Sequence, residues 1–228
     1  MKKDIPALGD VNPKKALEIM NEVRINRALA RRNFIRNVGL AGAGMVAGAV
    51  MEGCSSSTHA QSGVMPNDVL NFALNLEYLE AEFYSVATTG QTLGTGVIGG
   101  ATMVQTNALN AAVPFVTQEV QDMANEIAND EMLHVQFLRS TLGTAAVAEP
   151  AINLQALGNP FDNENDFLTI ARAFEDVGVS AYAGAATDLV SNLPYLQAAA
   201  QILAVEAYHA GAIRLNLILK ENSWLPQT

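Results

Sequence analysis

The feature that most constrains this chain is an internal repeat of two helical patterns. Each copy has a glutamate seven residues before a tyrosine, followed by a helix with a glutamate three residues before a histidine. The glutamate and tyrosine pairs are Glu77 with Tyr84 and Glu175 with Tyr182, and the glutamate and histidine pairs are Glu131 with His134 and Glu206 with His209. Residues three or seven apart share one face of a helix. The repeat therefore predicts two similar helix pairs, each with polar groups on one face.

Four segments have apolar residues at helical spacing, and strand patterns are scarce. The segments begin at a cap formed by Asn67 or Asp68, near Val116, near Asp166 and at Pro194; the second stops at Gly143 and the third near Leu189. The turn near residues 191–192 is short, which makes the last two helices antiparallel neighbours. Residues 143–165 are enough to cross the length of a bundle. The sequence thus predicts an all-α four-helix bundle over residues 61–228, with a long crossover between helices 2 and 3.

The polar residues of the repeat fall on the apolar faces of these helices. Glu131 and His134 share a face with Ile127 and Leu138. Ionised glutamates in such a core would each cost several kcal/mol without a partner, and two divalent cations would neutralise four of them. Oxygen ligands with one imidazole per ion suit Fe or Mn. The predicted metal ligands are Glu77, Glu131, His134, Glu175, Glu206 and His209.

The sequence allows two interpretations for several residues near the predicted ligands. Glu80 lies one turn from Glu77 and is the alternative ligand on the first helix, although the repeat favours Glu77. Tyr84 and Tyr182 are either ordinary core tyrosines or donors to a ligating carboxylate. Three further glutamates are expected on solvated faces, and two glycines near the ligands are either packing contacts or space for a small substrate. These are Glu82, Glu119 and Glu126, and Gly178 and Gly211.

This ligand pattern resembles the dinuclear-metal signature of the ferritin-like superfamily. The stretch "LNFALNLEYLEAEFY" is most similar to the exported branch of that superfamily that contains the desiccation-related proteins. The resemblance covers about residues 67–219. It implies a ferritin-like bundle that binds two divalent metal ions, Fe or Mn, and reacts with O2 or H2O2.

The first 60 residues are expected to be an export leader. They are basic, with nine Lys and Arg against five Asp and Glu, whereas the rest of the chain is strongly acidic. The pair Arg31 and Arg32 precedes a mildly apolar stretch, which resembles a twin-arginine signal read by the export machinery. Cleavage after Ala60 is favoured over a lipoprotein site at Cys54, the only cysteine. These features predict a periplasmic protein, and the acidic body argues against a nucleic-acid partner.

Three function classes are compatible with these residues. The first is a di-iron or di-manganese oxidoreductase, such as a peroxidase, a catalase or a ferroxidase, that acts in stress protection. The second is a metal-sequestering protein, and the third is a structural, desiccation-associated bundle without turnover. A rubrerythrin-type peroxidase with its own electron-relay domain is disfavoured, since the chain lacks a cysteine pair. The residues do not indicate an oligomeric state.

Overall fold

The structure, a computed structural model, describes residues 65–100 and 103–221. Its helices are α1 (Pro66–Thr89), α2 (Thr95–Ile98), α3 (Gln118–Leu142), α4 (Glu164–Ala185) and α5 (Leu193–Glu221). The helix α2 is a single turn, and the other four form the bundle. The prediction of an all-α four-helix bundle is thereby confirmed. The expected leader, residues 1–60, lies outside the described residues.

Capping residues explain where α1 and α4 begin, and the N-cap predicted for α1 is wrong. The helix α1 begins at Pro66 with Met65 as its N-cap, and neither Asn67 nor Asp68 caps it. Proline suits this first position because its missing N–H would have no helical partner there. The helix α4 starts after Asn163, whose side chain accepts from the backbone N–H groups of Asn165 and Asp166 at 3.0 Å. This arrangement satisfies two of the free donors of its first turn.

The first two bundle helices, α1 and α3, run antiparallel. The backbone N–H of Val113, just before α3, donates to the carbonyl of Ala87 near the end of α1, at 2.8 Å. At the other end, the amide of Asn71 in α1 donates to the carbonyl of Ala145, just after α3, at 2.9 Å. The start of each helix therefore lies beside the end of the other.

The last two helices, α4 and α5, are also antiparallel, and α4 starts at the same end of the bundle as α3. Lys220, near the end of α5, forms an ion pair with Glu164, the first residue of α4. The same Glu164 carboxylate accepts from the backbone N–H of Thr117, just before α3, at 2.8 Å. Because α3 and α4 start at one end, residues 143–163 have to cross the length of the bundle. The predicted crossover between the second and third long helices is confirmed.

The crossover is fastened to the connection between α1 and α3. Two short strands, β1 (Val104–Gln105) and β2 (Ile152–Asn153), pair in parallel. The guanidinium of Arg139 in α3 donates to the hydroxyl of Tyr78 in α1 at 2.5 Å and to the carbonyl of Val147 in the crossover at 3.0 Å. These bonds hold both long connections against the same side of α1 and α3.

An aromatic cluster packs α1 against α4. The ring of Phe83 stacks on that of Phe167 with 5.5 Å between centroids, and meets Phe174 edge-on at 5.0 Å. Both arrangements are favoured by the charge distribution of aromatic rings. Tyr84, next to Phe83, is fully buried and contacts the Phe167 ring edge-on. The cluster therefore fixes the rotation of α1 about its axis and with it the direction of the polar residues next to it.

The helix α5 is unusually apolar for its position. Over Leu193–Lys220 its length and mean hydropathy of 1.3 would suffice to cross a membrane. Its central Glu206 and His209, however, are fully buried against the other helices of the bundle. Ionisable groups of this kind would be costly on the lipid-facing side of a membrane helix. Within the described residues, α5 is therefore an integral helix of the bundle with a partly exposed outer face.

Candidate metal centre

The centre of the bundle contains a buried cluster of carboxylates and imidazoles. One glutamate comes from α1 and one from α4, whereas α3 and α5 each contribute a glutamate and a histidine three residues later. Five of the six residues are 0% exposed, and His134 is 8% exposed. The six are Glu77, Glu131, His134, Glu175, Glu206 and His209. The structure thus brings together all the residues that the sequence pattern singled out as metal ligands.

The cluster divides into two overlapping groups of four possible ligands. Within each group one atom per residue lies within 4.8 Å of the others. The first group consists of Glu77, Glu131, His134 and Glu206, and the second of Glu131, Glu175, Glu206 and His209. The carboxylates of Glu131 and Glu206 belong to both groups. Because a carboxylate has two oxygens, these two residues can each face two adjacent metal positions at once.

The side-chain nitrogens point into the cluster. Nδ1 of His134 lies 3.1 Å from Oε2 of Glu77 and 3.0 Å from Oε2 of Glu131. Nδ1 of His209 lies 2.9 Å from Oε1 of Glu131 and 3.4 Å from Oε2 of Glu175. Each imidazole therefore faces the glutamates of its own group through the same ring nitrogen.

Several polar atoms in this cluster have no hydrogen-bond partner among the described residues. They are Oε2 of Glu80, Oε1 of Glu131, Oε2 of Glu175, both carboxylate oxygens of Glu206, and Nδ1 of His209. Oε1 of Glu131 and Nδ1 of His209 are close, but their geometry is not that of a hydrogen bond. Orphaned buried polar atoms cost about 1–3 kcal/mol each. Their convergence from all four long helices fits a bound cation, which would satisfy them together.

The pKa values of most of the carboxyl groups are shifted in the same direction. Burial raises the pKa of Glu77 to about 8, and the nearby Glu131 carboxylate adds to the rise. Burial also raises the pKa of Glu175 to about 7. For Glu206, burial and then the Glu80 carboxylate raise the pKa well above its usual value of 4.5. Such surroundings disfavour the ionised form of these groups, and the positive charge of bound divalent cations would favour it.

Of these groups Glu131 alone has a lowered pKa, whereas the pKa values of the two histidines are raised. Burial disfavours the imidazolium form of His209, but Glu131 and Glu175 outweigh burial and raise its pKa to about 11. Glu131 and Glu77 likewise outweigh burial at His134, whose pKa is raised to about 10. Burial would raise the pKa of Glu131, but the two histidines hold it at about 2. Glu131 is therefore the carboxylate around which positive charge is concentrated, whether it comes from imidazolium or from metal.

The two buried tyrosines connect the halves of the repeat. The hydroxyl of Tyr84 in α1 donates to Oε1 of Glu175 in α4 at 2.5 Å. The hydroxyl of Tyr182 in α4 donates to Oε1 of Glu77 in α1. Of the two readings that the sequence left open, the structure therefore shows the tyrosines as donors to carboxylates of the cluster. Each tyrosine serves the glutamate of the other helix, so the two copies of the repeat are related by an approximate twofold axis.

Asp130 belongs to the site, although the sequence pattern did not indicate it. Its Oδ2 lies 3.2 Å from Nε2 of His209, on the side of the ring that faces away from the cluster. A carboxylate in this position holds Nε2 in the protonated form and leaves Nδ1 free to bind a metal. The sequence shows only that an aspartate precedes Glu131. Aspartates are common on the exposed faces of helices, so this position did not stand out.

Glu80 lies beside the cluster but outside both ligand groups. It is 2% exposed, and burial together with the carboxylate of Glu131 raises its pKa well above 4.5. Gly178 of α4 faces it from the opposite helix. A Cβ atom at Gly178 would collide with Oε2 of Glu206 and would lie 2.9 Å from Cδ of Glu206 and 3.5 Å from Oε1 of Glu80. A side chain at Gly178 would therefore force the Glu206 carboxylate to shift, whereas a Cβ at Gly211 would meet nothing within 4 Å.

The expectation that Glu82 faces solvent is wrong. Glu82 is 0% exposed, and its two carboxylate oxygens accept from the backbone N–H of Leu93 at 3.1 and 3.0 Å. The outer side of α1 is covered by the connection to α3, which the helical pattern of α1 itself could not reveal. Glu119 and Glu126 are exposed, as expected.

Comparison with known proteins agrees with this architecture. No curated protein and no solved structure is significantly similar to the chain. A family model described as a ferritin-like domain matches residues 67–218, which include nearly all of the four long helices and every residue of the cluster. The chain is thereby shown to be a member of the ferritin-like domain family.

Proposed function

We propose that the bundle binds two metal ions, Fe or Mn, and uses them for redox chemistry on O2 or peroxide or for the oxidation of Fe²⁺. The observation that carries this proposal is that the two ligand groups share Glu131 and Glu206. Shared carboxylates place two ions side by side, which a lone buried histidine or a simple ion pair would not require. In this assignment Glu77 with His134 and Glu175 with His209 complete the two positions.

The donor chemistry favours Fe or Mn over thiophilic metals. Each position offers three carboxylates and one imidazole, and the described residues contain no cysteine. Hard oxygen donors with imidazole suit Fe and Mn, whereas soft metals prefer thiolates. H2O2 needs two electrons and two protons to become two waters, and two ions held by these residues would supply the two electrons, one from each ion.

The protein residues position this chemistry and control its surroundings. The tyrosine hydroxyls fix one oxygen each of Glu77 and Glu175, so that the other oxygen can face the metal. Asp130 orients His209 in the same way. The buried apolar side chains of the four helices limit the access of water to the cluster. A preorganised set of ligands with satisfied outer contacts binds metal more tightly than a flexible one.

The test of this proposal is turnover by the metal-loaded protein. Protein loaded with Fe²⁺ or with Mn²⁺ is expected to convert H2O2 to water and O2 catalytically, or to reduce O2 when further Fe²⁺ is supplied as the electron donor. Glu131→Gln is expected to abolish this turnover because it alters both positions. The exposed Glu119→Gln on the same helix is the matched control and should retain it. Full metal loading without any consumption by either form would instead support metal sequestration or a structural role.

We also propose that the protein works in the periplasm as part of a response to oxidative or desiccation stress. The support is the Arg31 and Arg32 pair ahead of a mildly apolar stretch, together with the acidic body. Export by the twin-arginine route would deliver a folded bundle with its metals in place.

A further inference from the structure

The two histidines of the cluster differ in what lies behind them. Nε2 of His209 lies 3.2 Å from Oδ2 of Asp130. Among the described residues no group hydrogen-bonds Nε2 of His134. The two imidazoles thus face the glutamates in the same manner through Nδ1, but only one of them has a carboxylate on its outer nitrogen.

The internal repeat explains this difference. Asp130 immediately precedes Glu131 in the first copy and serves the histidine of the second copy. By the twofold relation that the crossed tyrosines define, the partner of His134 should come from the residue immediately before Glu206. That residue is Val205, which has no hydrogen-bonding side chain. The two copies of the repeat therefore differ at the paired positions 130 and 205.

The histidine that has the carboxylate partner is also the less exposed of the two. The side chain of His209 is 0% exposed, whereas that of His134 is 10% exposed. Asp130 covers the outer side of His209 and is itself 30% exposed. The imidazole of His134 is therefore the less enclosed of the two.

We propose that the two metal positions are inequivalent, with the Glu175 and His209 position holding its ion tightly and the Glu77 and His134 position exchanging its ion with solvent. This inference rests on the proposed binding of two ions. A carboxylate behind a ligating histidine fixes the tautomer, makes the imidazole a better donor, and typically changes metal affinity by about 10–100-fold. Asp130 is in this account a positioning residue that sets the order of loading: the position of His209 fills first and that of His134 second.

The experiment is a titration of metal-free protein with Mn²⁺, followed by equilibrium dialysis and electron paramagnetic resonance. The wild-type protein is expected to bind two ions in steps whose affinities differ by about 10–100-fold. The first should give the spectrum of an isolated ion and the second that of a coupled pair. His134→Ala should remove the weaker step and His209→Ala the tighter one, which assigns each step to its position.

Asp130→Asn is the variant that tests the cause of the difference. It should weaken the tighter step by about 10-fold or more and leave the weaker step unchanged, because the amide is a poorer acceptor for the imidazole N–H. Asp122→Asn, on the exposed side of the same helix, is the matched control and should change neither step. Circular dichroism of the variants checks that the bundle is intact.

Three results would overturn the inference: two wild-type ions that bind with equal affinity, loss of the tighter step in His134→Ala, or weakening of only the weaker step in Asp130→Asn. Two equal steps would leave the proposed dinuclear function in place. The absence of any Mn²⁺ and Fe²⁺ binding by the wild-type protein would instead contradict the proposed function itself.

Discussion

The hydroxyl of Tyr84 donates a 2.5 Å hydrogen bond to Oε1 of Glu175, across the bundle from α1 to α4. The reciprocal bond from Tyr182 to Glu77 completes a pair of crossed contacts. They tie the two copies of the repeat into one centre, since neither helix orients its own glutamate. The geometry of each metal position therefore depends on the opposite half of the chain.

Removal of these hydroxyls is expected to weaken metal binding without unfolding the protein. Tyr84→Phe and Tyr182→Phe each leave a glutamate oxygen without its donor, and the loss of such an outer contact typically costs about 10–100-fold in metal affinity. The rings remain, so the packing around Phe83 should persist. Tyr195→Phe removes a hydroxyl that donates to the exposed Asn67, away from the cluster, and is the control. Competition with a chelator measures the metal affinity. If Tyr84→Phe and Tyr182→Phe bind metal as tightly as the control variant, the role assigned to the crossed bonds is contradicted.

A methyl group at Gly178 should disturb the centre. Gly178→Ala places a Cβ against Oε2 of Glu206, so that carboxylate has to move away from the position it shares between the two ligand groups. We expect metal affinity to fall by at least about 10-fold, the scale of a displaced ligand contact. Any gain from the better helix propensity of alanine, about 1 kcal/mol, should be offset by the clash.

Gly211→Ala is the matched control for this substitution, because a Cβ there meets nothing within 4 Å. It should stabilise α5 slightly and leave metal binding unchanged. If both alanine variants behave alike in thermal unfolding and in metal affinity, the close approach of Gly178 to Glu206 has no functional consequence.

Glu164 should contribute to stability in a pH-dependent way. Burial alone would raise its pKa, but Lys220 and the donors of Val116 and Thr117 outweigh burial and lower it below 4.5. A carboxyl group whose folded-state pKa is lowered stabilises the protein above its unfolded-state pKa, and this stabilisation is lost as the pH falls through the folded-state value. Glu164→Gln should thus lower the free energy of unfolding by about 1–3 kcal/mol at pH 7, the worth of hydrogen bonds to a charged group.

Chemical denaturation at pH 7 and at pH 3 measures this effect. The difference between the wild-type protein and Glu164→Gln should shrink at the lower pH, whereas the exposed Glu119→Gln should show little difference at either pH. A difference that is constant from pH 7 to pH 3 would mean that the carboxylate charge of Glu164 does not hold this end of the bundle together.

Sequence reasoning identified the cluster because ligand spacing and helical periodicity are both local. Glu131 and His134 are three residues apart on an apolar face of one helix, and the same spacing recurs at Glu206 and His209. Asp130 was missed because its role depends on a histidine that lies 79 residues further along the chain. The burial of Glu82 was missed for a related reason. The periodicity of α1 shows which face packs against the bundle, but it does not show that the connection to α3 covers the opposite face.

Export of the precursor is expected to depend on the arginine pair. Replacement of Arg31 and Arg32 by Lys should keep the protein in the cytoplasm, because the planar guanidinium groups make contacts that ammonium groups cannot reproduce. The same exchange at Arg24 and Arg27 is the control and should leave export unchanged. Cell fractionation measures the result, and normal export of the Arg31 and Arg32 variant would exclude the twin-arginine route.

We propose that Glu131 and Glu206 hold two ions side by side, and the metal content of the purified protein is the direct test of this arrangement. After anaerobic loading with excess Fe²⁺ or Mn²⁺ and removal of unbound ions, elemental analysis should find two ions per wild-type chain. The double variant Glu131→Gln with Glu206→Gln should retain fewer than one, whereas Glu119→Gln with Glu126→Gln should retain both. A wild-type protein that holds fewer than one ion per chain while remaining fully helical would contradict the account.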